Sequence, residues 1–225
     1  MTNKLTGRAF AARHGVPVPE LYWYGKNIDE IPFGKLPLSY VIKTSFGAGA
    51  KQVLPIIDGI NAFKNATFTH DMIRDFFREP MSFVSPYGYL LIEELLTPES
   101  GESLIAKDYK VYVFDGIAHY ITVVNRLTRK SEYYTREWDK VTIPMNAKYE
   151  IGEYEPRPKY YKELIEYAER LGKACGHTHA RIDFFMTDKG CIFGEFTATP
   201  SGGGGFTLYA NRLFGRLWRK MGKGT

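Results

Sequence analysis

The chain has 225 residues, 44% hydrophobic and 24% charged, which excludes a disordered or fibrous class and allows one large globular domain or two small lobes. A net charge of +5 suits an anionic small ligand such as a nucleotide, and equally an anionic polymer or membrane surface; the basic residues are spread along most of the chain, and no nucleic-acid partner is expected. The two cysteines, Cys175 and Cys191, exclude a disulfide framework, and without a signal-like N-terminus or a membrane-span stretch a cytoplasmic location is the expectation.

In chain order, residues 4–14 read as a helix stopped at Gly15, with Pro17 and Pro19 enforcing the stop. Residues 39–43 form a β-type run that leads through Gly47-x-Gly49 into a second one at 51–57. Residues 69–78 form a short helix capped by Thr69, and residues 89–96 a strand that enters a connection rich in Pro, Glu and Gly. Strands at 109–115 and 119–125 turn at Asp115-Gly116. Residues 127–158 are charged, tyrosine-rich and irregular, the pattern of a mobile loop. An amphipathic helix spans 160–175, with Leu164, Ile165, Ala168 and Leu171 on one face and Gly176 closing it. Strands at 180–187 and 191–197 form a hairpin around Asp188-Lys189-Gly190, followed by Ser201 and four glycines.

The chain ends on a helix with an apolar face of Leu208, Leu213, Phe214, Leu217, Trp218 and Met221 and a cluster of Arg212, Arg216, Arg219, Lys220 and Lys223. Such a helix docks on its own domain with its charges solvated; weak membrane-surface association is the sharper alternative. The order is α+β: two β-rich halves, each with a helix packed on it, and a seam near 95–105.

The most informative feature is the pair Asp183 and Glu195 on the two arms of that last hairpin. A three-residue loop ending in glycine pairs Thr187 with Cys191 and, counting back, Asp183 with Glu195. Carboxylates directly opposite repel, so a cation between them is expected, and Mg²⁺ is the simplest. A four-residue loop would put them on opposite faces, and the bland reading pairs one of them with Arg181 or Lys189 on a solvated surface. In the expected register Arg181 shares the face of Asp183, and Thr197 lies opposite Arg181. A cation beside a metal site suits a transferring phosphate.

Lys43 closes a strand in front of Gly47 and Gly49, whose backbone N–H groups can approach phosphate oxygens. The loop returns as a strand and not as a helix, so the motif is a hairpin flap and neither a P-loop nor a dinucleotide-binding turn. Asp108 and Lys110 share one strand face, which makes Lys110 a phosphate or substrate contact, and Arg126 reaches toward the same ligand. His177 and His179 lack a third partner for zinc, Cys175 reads as packing, and no kinase or hydrolase signature is present.

Taken in order, these phrases resemble the ATP-grasp superfamily and, within it, the TupA-like group named for teichuronopeptide biosynthesis. They are Gly15-Val16-Pro17-Val18-Pro19, Val41-Ile42-Lys43 before the glycine loop, Ile92-Glu93-Glu94-Leu95, the run from Asp108 to Gly116, Arg181-Ile182-Asp183, and Gly194-Glu195-Phe196-Thr197. The resemblance implies an ATP-grasp fold, with a small lobe and N-terminal helix in residues 1–96 and a large lobe in 97–225, ATP lying between them. It implies that Lys43 and Lys110 contact phosphates, that Glu93, Glu94 and Leu95 form the hinge against adenine and ribose, that Asp183 and Glu195 hold Mg²⁺, and that Arg181 contacts the phosphate or acylphosphate. Family members often have Asn where this chain has Thr197, a poorer metal ligand.

Implied too is ATP-dependent joining of a carboxylate to an amine on a small-molecule or polymer acceptor, as in cell-surface polymer or peptide biosynthesis. A kinase of the same fold and a non-catalytic nucleotide-binding module are the alternatives. Residues 127–158 would be the lid or acceptor loop, with Tyr133, Tyr134, Arg136 and Trp138 as contacts. Typical members begin with a further α/β domain that helps bind the acceptor; the recognisable region here starts almost at Met1, so acceptor binding is expected to use the loops, the glycine-rich tail, or another protein or second copy.

Overall fold

The structure is a computed structural model that describes residues 3–47, 51–83, 88–101, 103–146 and 148–221. Two six-stranded sheets organise it. The first contains β1 (Leu21–Gly25), β2 (Ser39–Thr44), β3 (Val53–Ile57), β4 (Ile60–Asn61), β5 (Ala66–Thr67) and β6 (Leu90–Glu94), in the order β1-β6-β2-β3-β4-β5, all antiparallel. The second contains β7 (Asp108–Phe114), β8 (Ile117–Asn125), β9 (Lys130–Thr135), β10 (Glu150–Ile151), β11 (His179–Thr187) and β12 (Gly190–Thr197), in the order β10-β9-β8-β7-β11-β12. Among the described strands of this sheet, only the short β10 runs parallel to its neighbour.

Each helix covers a face that the strand pattern leaves apolar. Helix α2 (His70–Phe83), started by Thr69 Oγ1 accepting from the Met72 N–H at 3.2 Å, brings Ile73 and Phe77 against Ile42, Leu54, Ile56 and Ile92 of the first sheet. Helix α3 (Tyr161–Ala174) buries the predicted face Leu164, Ile165, Ala168 and Leu171 with Val111 and Val113 of the second sheet. Helix α4 (Leu208–Met221) lies on the opposite face, where Ala210 and Phe214 join Tyr112, Phe114, Tyr133 and Met145. Helix α1 (Lys4–Arg13), capped by Asn3 and closed at Gly15 with φ +70°, precedes the first sheet in sequence but packs on β12 of the second, with Ala11 and Val16 in that core.

The hairpin β11–β12 corrects the expected register. Its turn is one residue shorter: Thr187 pairs with Gly190 and Met186 with Cys191. A bulge then adds Gly194 to β12, and beyond it Asp183 faces Glu195 and Arg181 faces Thr197 as expected. A Cβ on Gly194 would lie 2.7 Å from the Phe185 ring, so this position has no room for another side chain.

Residues 127–158 differ more from the expectation. Instead of a free loop, the segment supplies β9 and β10, and Tyr133, Tyr134 and Trp138 are core residues, the first two with no exposed surface. Arg136 pairs with Glu169 of α3 at 2.9 Å. Burial on both faces removes the polar–apolar alternation by which β9 would have been read as a strand.

Candidate functional site

The second sheet builds the floor. On one face, Lys110 of β7, Asp183 of β11 and Glu195 of β12 lie directly across from one another, and Tyr112, Arg181 and Thr197 form the next row. Asp183 is 3% exposed, and its carboxylate accepts from Arg181 Nε at 2.7 Å, from Arg181 Nη2 at 3.0 Å and from Lys110 Nζ. Burial works to raise its pKa, but Arg181 and Lys110 outweigh burial and hold it below the ordinary carboxylate value. Burial lowers and Asp183 raises the Arg181 pKa, and the raising effect wins. Thr197 Oγ1 accepts from Arg181 Nη2 at 3.0 Å, so its hydroxyl is already engaged.

Glu195 is different. Its side chain is 32% exposed, and its ion-pair partner is Lys4 Nζ at 3.9 Å. The two carboxylates therefore share a face as the sequence implied, but protein cations offset them separately.

Beside this row, Arg126 at the end of β8 donates to Asp108 and, from Nη1, to Tyr149 Oη at 2.8 Å. Burial would lower its pKa, but Asp108, Tyr149 and Asp183 together outweigh burial and raise it. Burial also pushes the Tyr112 hydroxyl up to about 12.

The first sheet builds the roof. Lys43 of β2 pairs with Glu93 of β6, and Arg8 of α1 reaches the same carboxylate at 3.2 Å. Gly47 has φ +135°, a backbone region that favours glycine, and its carbonyl accepts from Lys4 Nζ at 3.1 Å. Gly49, the other expected flap glycine, lies outside the described residues. Val41, Val53, Pro55, Phe63, Leu96 and Phe185 supply an apolar sector. Glu94 pairs with Lys189 of the hairpin turn.

Roof and floor enclose one cavity of about 680 Å³, in the range of small-molecule sites. Lys43, Gly47, Glu93, Glu94, Leu95, Lys110, Arg126, Arg181, Asp183, Glu195 and Thr197 all border it, so the phosphate, hinge and metal candidates among the described residues are brought to one place, whereas the expected acceptor contacts Tyr133, Tyr134, Arg136 and Trp138 do not line it. Sequence reasoning missed Lys4, Asn146, Lys148 and Tyr149, which border it too. The i, i+4 spacing of Lys4 and Arg8 on α1 was the available signal for a cationic helix face. His179 packs between Phe114 and Trp218, and its Nδ1 lies 3.3 Å from the Ala198 carbonyl. Burial raises the Cys175 pKa, and Cys175 Sγ donates to the Gly172 carbonyl.

Among solved structures, the fold is similar to a D-alanine–D-alanine ligase from Bacillus anthracis: 15% identity over 97% of this chain and 63% of that one, TM-score 0.55. It is similar to D-alanyl-alanine synthetase A from Vibrio cholerae O1 biovar eltor str. N16961, with 19% identity over 87% and 54% and TM-score 0.52. A third is the ATP-grasp ligase PsnB complexed with minimal precursor, with 15% identity over 96% and 60% and TM-score 0.51. The chain spans less than two thirds of the length of each, and at these identities the likeness establishes the fold. No curated protein matches the sequence. The sequence profile described as TupA-like ATPgrasp matches residues 10–217, nearly the whole chain, which therefore belongs to the TupA-like ATP-grasp family.

Proposed function

We propose that this protein is an ATP- and Mg²⁺-dependent ligase that joins a carboxylate to an amine. The substrate carboxylate attacks the γ-phosphorus of ATP, ADP leaves, and the amine then displaces phosphate from the acylphosphate to give an amide. One observation carries the reading: Lys43 and Gly47 from the first sheet and Lys110, Arg181, Asp183 and Glu195 from the second border the same cavity.

In this reading the base lies in the apolar sector against the hinge of Glu93, Glu94 and Leu95, and the phosphates run between Lys43 and Lys110. Asp183 and Glu195 fit Mg²⁺, which is usually held by one or two carboxylates plus substrate phosphates. Glu195 is the accessible ligand, a third exposed and only loosely paired, and Asp183 is its cross-strand neighbour. Bound Mg²⁺ would offset charge on the phosphate oxygens. Thr197, engaged by Arg181, leaves the two acids to carry the site.

Arg181 would orient the reacting carboxylate and its acylphosphate. Arg126, held between Asp108 and Tyr149, faces the acceptor side with Asn146 and Lys148. Closure of a small lobe (1–96 without α1) over a large one (97–225) would exclude water from the acylphosphate. The supply of ATP puts the reaction in the cytoplasm, and the family's name together with the amide-forming neighbours supports a role in cell-surface polymer or peptide synthesis.

The test is a mass-spectrometric screen of ATP-dependent products against pooled amino acids, uronic acids and sugars. A ligase gives ADP, phosphate and an amide. A phosphoester would instead identify a kinase, and nucleotide binding without turnover a binding module.

A further inference from the structure

The surface of α4 has no part in the ligase reading, and its chemistry is distinctive. Arg212, Arg216 and Arg219 are exposed and spaced by four and three residues, so they fall on one stripe along two turns of the helix. The helix contains no acidic residue. Among the described residues, neither Arg212 nor Arg216 meets an acid, and Arg219 only donates from Nε to the helix's own Gly215 carbonyl at 3.2 Å. The opposite side of α4 is used up: Ala210, Leu213, Phe214 and Leu217 pack on the second sheet. Two large apolar side chains nonetheless stay exposed, Leu208 at 66% beside the stripe and Trp218 at 54% on the flank between the stripe and the buried face.

We infer that this face adsorbs to an anionic lipid surface. Unpaired arginines complement acidic headgroups, and each basic residue near such a surface contributes about fivefold to partitioning. Trp218 and Leu208 favour a bilayer over a soluble polyanion, because an aromatic ring at headgroup depth keeps one side apolar and one wet. Attachment is peripheral: among the described residues no helix is long and apolar enough to cross a membrane. The placement also relates to the cavity. Helix α4 lies on the same face of the second sheet as Lys110 and Asp183, and Tyr112 borders the cavity while stacking on Phe214 of α4 at 4.8 Å. A surface held by α4 would thus lie on the cleft side of the second sheet and, on the ligase reading proposed above, an acceptor carried on a lipid would approach from that side.

The experiment is co-sedimentation of the full chain with vesicles of phosphatidylglycerol and phosphatidylcholine in equal parts, and with phosphatidylcholine alone. The wild type sediments with the anionic vesicles only, and is released when ionic strength rises to about 1 M, where the screening length falls to about 3 Å. Arg212→Gln, Arg216→Gln and Arg219→Gln together lower partitioning about a hundredfold, and the corresponding triple Lys variant retains most of it. Trp218 emission shifts to shorter wavelength on binding, and the shift is absent in Trp218→Phe. Equal sedimentation with neutral vesicles, none with anionic ones, or wild-type partitioning of a folded triple Gln variant would each overturn the inference. Arginine-dependent binding to soluble polyglutamate without vesicle binding would overturn it in favour of a polymer.

Discussion

Acidic side chains are buried at two places in the second sheet, and they are handled in opposite ways. In the cleft, Asp183 faces a surplus of cations: Arg181 and Lys110 lie on its carboxylate, and it borders an open cavity. At the β9 edge, Glu132 is 8% exposed yet makes no hydrogen bond or ion pair with any described residue. Burial raises its pKa, and neighbouring Glu155 raises it further. Glu155 is a peg, accepting from Lys107 and from Tyr109 Oη at 3.1 Å, while its backbone N–H and carbonyl bond to Tyr134 and Trp138. Neither Glu132 nor Glu155 lines the cavity. Burial of an acid alone therefore says little about function. What marks the cleft is charge that stays ionised, carries cations able to move onto a ligand, and opens to a space that can hold one.

The largest expected difference between the two places is in turnover. Asp183→Asn or Glu195→Gln should each lower the rate of ADP release by at least about a hundredfold, the scale of losing a group that stabilises developing charge. Glu132→Gln should leave it within about twofold, as read in a coupled ADP assay. A comparable loss in all three would dissolve the contrast.

Stability comes next. Asp183→Ala removes the carboxylate that Arg181 and Lys110 share, leaving Lys110 with Asp108 at 3.8 Å, and should cost about 3–5 kcal/mol in urea unfolding. At the other place, Gly152→Ala should cost about 1–3 kcal/mol, because a Cβ there would lie 1.7 Å from Glu132 Oε1. In a Glu132→Ala background that penalty should vanish, and its persistence would show that the crowding lies elsewhere.

The smallest effect is the most discriminating, because its sign differs between the two acids. Asp183 has a depressed folded pKa, so its contribution is present above the ordinary carboxylate value and lost as pH falls through the folded one. Glu132 has a raised one, so its contribution is present at low pH and lost as pH rises. Glu132→Gln should therefore stabilise at neutral pH, with the gain fading in acid, while Asp183→Asn should destabilise at neutral pH, with the loss fading in acid. Thermal melts across pH would test both slopes.

Much of this contrast was legible in the sequence, though not for uniform reasons. The two-residue period of strands put Asp183, Lys110 and Arg181 on one face correctly. The pairing with Glu195 came out right through two errors that cancel: the turn is shorter by one residue, and the bulge at Gly194 restores the count. A glycine inside a strand was the available sign of that bulge. Tyr133 and Tyr134 look like loop contacts in sequence because β9 is buried on both faces, so no alternation marks it as a strand. Lys4 could not be placed from sequence, since its role depends on α1 crossing from the flap to β12, a contact between segments far apart in the chain.

The proposed ligase site requires one nucleotide to bridge Lys43 in the first sheet and Glu195 in the second. The most direct measurement is calorimetric titration of a non-hydrolysable ATP analogue into wild type, Lys43→Gln and Glu195→Gln, with Mg²⁺ and with chelator. The expected result is a single Mg²⁺-dependent site, weakened about tenfold or more by Lys43→Gln, and loss of the Mg²⁺ dependence in Glu195→Gln. Wild-type affinity and wild-type Mg²⁺ dependence in both variants would contradict it.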